Sequence, residues 1–175
     1  MKSLLGVLMF CISHVIIAQD DPMATLRSLK GDWEILSYSK NAEGQWDEGI
    51  KSLSRFRTIL GGKFMQEEAI YRAKGYKITS VSYYGYDQRA KGYKYTIMDQ
   101  EWGVMDTYRG ALENGKLIMD NLGDVEFTSN DGSQMFFQLI FDFKQSDELN
   151  LLIQLSKDAG KTWQDFHKVD YKRLN

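Results

Sequence analysis

Leu26-Arg27-Ser28-Leu29-Lys30-Gly31-Asp32-Trp33 is the stretch on which the fold turns. Its first five residues read as a short helix, and Pro22, the one proline of the chain, stands where it can start that helix. Gly31-Asp32-Trp33 then leads into an extended run from Asp32 to Lys40. Trp33, Ile35, Ser37 and Ser39 share one side of that run, with Glu34, Leu36 and Tyr38 on the other. Neither side is wholly apolar, which a wide barrel tolerates.

Outward from this point the chain reads as strands separated by tight turns. Gly44, Gly61-Gly62, Lys74-Gly75, Lys91-Gly92, Asn114-Gly115, Asp131-Gly132 and Ala159-Gly160 recur as turn chemistry, because glycine supplies the positive φ that hairpins need. Extended segments are predicted near residues 50–60, 63–72, 76–85, 93–99, 104–113, 116–121, 124–129, 134–144, 148–156 and 163–173. Alternation is clearest late: Met135, Phe137, Leu139, Phe141 and Phe143 share a face, and Leu149, Leu151, Ile153 and Leu155 repeat the pattern. Many short strands with evenly spaced turns predict an all-β fold. Sequential hairpins make an up-and-down meander, and closing it removes the exposed edges that invite aggregation.

At the N-terminus Lys2 precedes a nearly unbroken apolar run from Leu4 to Ile17, followed by Ala18-Gln19-Asp20-Asp21. This predicts a secretory signal peptide over residues 1–18, a single domain over 19–175, and a periplasmic or extracellular destination. The run is too short and too interrupted for a spanning helix. Cys11 lies inside it after bulky Phe10, unlike a lipobox, and no other cysteine exists to form a disulfide. Without Lys2, 21 basic residues face 24 acidic ones, a formal charge of −3. With no basic block, this excludes an electrostatic footprint for nucleic acid or an anionic membrane surface. No later stretch is apolar for long enough to cross a bilayer as a helix.

Several segments together resemble a lipocalin-like, or calycin, family of secreted or soluble bacterial domains of unknown function. They are the helix and Gly31-x-Trp33, the run Arg57-Thr58-Ile59-Leu60-Gly61-Gly62-Lys63-Phe64-Met65-Gln66-Glu67-Glu68, Gly85-Tyr86-Asp87 with Tyr93-Lys94-Tyr95, and the terminal Tyr171-Lys172-Arg173. The resemblance implies a barrel that encloses a small ligand. It also implies structural roles for Gly31, Trp33 and Arg173, with the guanidinium stacked on the indole beneath the barrel. Alternation from an inward Arg173 would then direct Tyr171, Val169 and His167 inward, provided no bulge intervenes.

The remaining motifs carry no established reaction chemistry. His167 is the only histidine after the signal, so any imidazole mechanism must use it. Haem ligation, much as in nitrobindin-type barrels, is one alternative, although the glycine-rich pattern those proteins carry after the tryptophan is replaced here by Glu34-Ile35-Leu36-Ser37. With one histidine and no cysteine after residue 18, an ordinary zinc site is excluded in the expected mature chain. Ser156-Lys157-Asp158-Ala159-Gly160-Lys161-Thr162-Trp163 matches the Asp-box pattern, which sialidases and related propellers repeat from blade to blade. Occurring once, it reads as a hairpin turn. Glu67 and Glu68 are neighbours and so face opposite sides of a strand, which rules out a glycosidase-type pair. No phosphate loop, nucleophile elbow or EF-hand spacing is present.

The resulting expectation is a closed antiparallel barrel of about ten strands, lipocalin-like, with a short N-terminal helix and a small, largely apolar ligand inside. The expected lining is Trp33, Phe56, Phe64, Tyr84, Tyr95, Tyr108, Phe137, Leu139, Phe141, Leu151, Ile153 and Tyr171. Arg57, Glu68, Arg109 and His167 are the polar anchors, with no catalytic residue, metal or obligatory cofactor assigned. A filled barrel serving as a structural or interaction module is the competing reading.

Overall fold

The computed structural model describes residues 21–73, 76–101, 103–123 and 132–174. The expected signal peptide and the strand expected near 124–129 fall outside these residues. A five-residue helix, α1 (Ala24–Ser28), is followed by ten strands: β1 (Gly31–Lys40), β2 (Trp46–Ile59), β3 (Phe64–Ala73), β4 (Tyr76–Asp87), β5 (Gly92–Asp99), β6 (Val104–Glu113), β7 (Lys116–Asp120), β8 (Phe136–Gln145), β9 (Glu148–Ser156) and β10 (Gln164–Arg173). Each strand pairs antiparallel with the next, and β10 returns to β1, so the sheet is a closed barrel. The expected up-and-down closure is the architecture found.

Turn chemistry explains how the chain makes these reversals. Between β6 and β7, Asn114 and Gly115 both take positive φ, 51° and 77°, the geometry a two-residue hairpin requires. The Asp-box turn joins β9 to β10 and is built from its own side chains. Ser156 Oγ accepts from the Gly160 amide at 2.9 Å, while Asp158 accepts from the Thr162 amide at 2.9 Å and from its hydroxyl at 2.6 Å. Those bonds, the Thr162 hydroxyl foremost, hold the Asp158 carboxyl down at about 2. Its contribution to stability is therefore present above the unfolded carboxyl range, about 4, and is lost as pH falls through about 2. Thermal melts of the wild type and Asp158→Ala should differ at pH 5 and converge near pH 2; a gap that stays constant with pH would refute this reading.

The floor is fixed where the two ends of the chain meet. Trp33 lies opposite Arg173 on the seam between β1 and β10, fully buried, with the guanidinium carbon 4.2 Å from the indole centroid. The indole Nε1 donates to the Leu29 carbonyl at 2.8 Å. Arg173 in turn donates to the carbonyls of Ser28 (2.7 Å) and Lys30 (2.8 Å), satisfying groups that the end of a helix leaves unpaired. One turn of helix has little stability of its own. These bonds, the burial of Met23, Leu26 and Leu29, and a 2.6 Å bond from the Tyr93 hydroxyl to the Pro22 carbonyl hold α1 as the plug of the barrel. Gly31 is required here: its φ is +137°, and a Cβ would lie 2.9 Å from an Arg173 nitrogen.

Above the plug, aromatic rings fill the lower half of the interior. Trp33 meets Phe56 edge-on at 6.2 Å, and Tyr84 packs on Phe141 at 5.8 Å and on Tyr95 at 4.7 Å. Leu117, Met119 and Leu149 complete this layer, each almost wholly buried. The alternation read from β8 and β9 is present, with Leu139, Phe141, Leu149 and Leu151 all buried. A bulge in β10 between Asp165 and His167 precedes His167, so His167, Val169 and Tyr171 keep the inward parity.

Candidate functional site

The upper half of the barrel is open. A cavity of about 640 Å³ lies there, walled by Ala69 and Tyr71 from β3, Ser80 and Ser82 from β4, Tyr95 and Ile97 from β5, Tyr108 from β6, Phe137 and Leu139 from β8, Leu151 and Ile153 from β9, and His167, Val169 and Tyr171 from β10. Asp99, Val104, Asp106, Met135 and Phe166 also line it; they lie at or beside the strand ends remote from α1, where the barrel has its mouth. Its volume falls in the range of small-molecule sites, about 300–1,000 Å³.

At the base of the cavity sits a carboxyl group, Glu67, only 3 % exposed. Ser54 donates to Oε1 at 2.7 Å and the Tyr84 hydroxyl to Oε2 at 2.5 Å, with a further hydrogen bond from Tyr171. Burial pushes its pKa above the ordinary carboxylate value, against the opposing pull of those three hydroxyls. The surrounding tyrosines respond in the same sense. Tyr71 is pushed up to about 12, first by burial and then by the Glu67 charge, and burial likewise raises Tyr84, Tyr95, Tyr108 and Tyr171. All five keep their hydroxyl protons at neutral pH. Ser82 and Tyr95 hydroxyls lie 3.0 Å apart across β4 and β5.

His167 is half-buried in the upper wall, its Nδ1 3.2 Å from Ser39 Oγ. Burial lowers its pKa, which favours the neutral ring. Among the described residues no group of three or more His, Cys, Asp or Glu side chains is arranged to hold a metal ion.

Eight of the expected lining and anchor residues border the cavity: Tyr95, Tyr108, Phe137, Leu139, Leu151, Ile153, His167 and Tyr171. Trp33, Phe56, Tyr84 and Phe141 point inward but belong to the filled layer beneath it. Four expectations are corrected. Arg57 and Glu68 face outward and pair with each other at 3.2 Å, because the register of β2 and β3 places them diagonally across the outer face. Arg109 is exposed on the outer face of β6, since Tyr108 takes the inward position. Phe64 lies outside, opposite Gly85, where its ring occupies the space a Cβ on Gly85 would take, 2.4 Å away; an outer-face aromatic covering a bare glycine is a known strand device. The buried acid is therefore Glu67. The signal for it was its shared parity with Met65 and Tyr71, which the inward assignment of Phe64 overrode.

The closed ten-stranded barrel, plugged at one end and hollow at the other, is a lipocalin-like fold. The chain belongs to the family described as protein of unknown function, DUF1579, which matches residues 19–173. Among solved structures it is similar to an S-type phycobiliprotein lyase, CPES, from Guillardia theta, with 11% identity, a TM-score of 0.57, and coverage of 85% of this chain and 90% of the lyase. A structure of EF1p2_mFAP2b bound to DFHBI also matches, at 11% identity and a TM-score of 0.44, over 88% of this chain and 100% of the other. At such identities the likeness to the lyase is one of fold alone. No curated protein matches the chain.

Proposed function

We propose that this protein is an exported container that binds a small molecule with a largely apolar body in the upper half of its barrel. The observation that carries this is the division of the interior: rings pack the lower half, whereas about 640 Å³ above them is left open and ends on one hydrogen-bonded carboxyl group. A protein that needed only a stable barrel gains nothing from that void, because unfilled space beside a packed core forfeits dispersion contacts. Residues 1–18 direct export in this reading, and the mature chain works in the periplasm or outside the cell.

Native mass spectrometry of protein purified from its source tests both parts. The expected result is a mature chain lacking residues 1–18 together with a bound small molecule that organic extraction releases. A chain carried as its full length and free of any ligand would overturn the reading. Ala69→Trp provides the engineered counterpart. Ala69 is buried in the cavity wall, and an indole there would fill the space next to Glu67. Binding of an extracted ligand, followed by calorimetry, should weaken at least about tenfold, the equivalent of about 1.4 kcal/mol, while the circular dichroism spectrum is kept.

Haem is the second reading, supported by the placement of His167 in the cavity wall. Titration with haem gives a His-dependent Soret shift if it holds and none if it does not.

A further inference from the structure

We propose that the cavity selects lipophilic organic cations, an ammonium group on an apolar or aromatic body, over neutral and anionic molecules of the same shape. The inference rests on the container reading and adds the chemical class. Its basis is an imbalance of charge. The described residues of the cavity wall include Glu67, Asp99 and Asp106 and no lysine or arginine. Asp99 and Asp106 are engaged with neighbouring groups, so the anchor is Glu67, the acid at the closed end.

Every identified partner of Glu67 is a neutral hydroxyl, Ser54, Tyr84 or Tyr171. These donors fix the orientation of the carboxylate and match its ionised form, but they bring no positive charge. The arginines that flank it in the sheet are spent on the outer face, Arg55 with Asp32 and Arg57 with Glu68. A carboxylate withdrawn from water without a cation is costly, and an ammonium group arriving with the ligand would offset that cost in a setting where charges act more strongly than in water. The walls above favour the same guest. Tyr71, Tyr95, Tyr108 and Phe137 surround the space, and aromatic faces attract cations. A carboxylate ligand, by contrast, would face Glu67 with no lysine or arginine of the described wall to receive it, and burial favours the neutral ring of His167, the one imidazole there.

Naphthylmethylamine, naphthylmethanol and naphthoate share one skeleton and differ in charge. Isothermal titration calorimetry of the mature protein at neutral pH should rank them amine, alcohol, acid, with the amine at least about tenfold tighter than the alcohol. Glu67→Gln should erase the preference for the amine over the alcohol; if that variant does not fold, the ranking on the unaltered protein decides alone. Naphthoate binding as tightly as the amine, or a preference for the amine that survives in a folded Glu67→Gln, would overturn the cationic class while leaving the container reading in place. Failure of all three at millimolar concentration would overturn both.

Discussion

Replacing Trp33 by alanine is expected to lower the unfolding free energy by about 4–5 kcal/mol, at the upper end of what aromatic-to-alanine changes cost in cores. The side chain is 0 % exposed and takes part in three separate devices. Its ring supports Phe56 and Tyr171 at edge-to-face distances of 6.2 and 6.5 Å. Its Nε1 is the partner of the Leu29 carbonyl, which would be left unpaired at the end of α1. Its face carries the Arg173 guanidinium, whose remaining bonds tie the end of β10 to the carbonyls of Ser28 and Lys30 and to Ser146 and Asp147 between β8 and β9. A domain of this size is stable by only about 5–15 kcal/mol, so the loss would remove a large part of the total. Urea unfolding followed by far-ultraviolet circular dichroism measures it. Trp33→Phe separates the contributions: it keeps most of the packing and loses the hydrogen bond, so about half the effect should return. A loss below about 1.5 kcal/mol for alanine would mean that the plug is not what secures the floor.

That junction was the part of the fold most legible in the sequence. A short helix followed by Gly31-x-Trp33 resembles the entry to lipocalin-like barrels, and that resemblance implied the stacking of Arg173 on the ring that the seam between β1 and β10 shows. Turn glycines and the alternation of β8 and β9 supplied most of the remaining strands, because both are local signals of the backbone. Parity was harder. In β3 every residue from Phe64 to Glu68 is either polar or plausible on both faces, and only tertiary context decides between them. Phe64 covers the bare backbone of Gly85, a partner 21 positions away whose pairing is fixed by register. Once Phe64 is outside, Glu68 follows it and Glu67 turns inward. The division of the interior into a packed lower layer and an open upper one left no mark on the sequence, because Phe141 and Phe137 lie on the same strand face and differ only in height.

The second large effect concerns Glu67, and its size depends on pH. Glu67→Leu removes the acceptor shared by Ser54, Tyr84 and Tyr171. Each buried hydroxyl left without a partner costs about 1–3 kcal/mol, so near pH 4 the variant should be less stable by about 3–5 kcal/mol. Glu67→Gln keeps an acceptor oxygen and cannot ionise. Burial raises the native pKa of Glu67 above the unfolded value, so over the interval between the two the native state holds the proton that the unfolded chain, with a pKa of about 4.3, has released. Stability is then greatest below the unfolded pKa and falls as pH rises through the raised native one. The glutamine variant lacks this slope. Comparing the two cancels every other titrating group: the unfolding free energy of the wild type minus that of Glu67→Gln should fall steadily from pH 4 upward, until the native carboxyl is ionised. For Glu67→Leu the penalty should shrink over the same interval, because the wild type itself is losing stability. A difference from glutamine that grew in favour of the wild type with rising pH would show that the carboxylate is paired with a positive charge inside the fold, and the barrel would then have no charge for a ligand to neutralise.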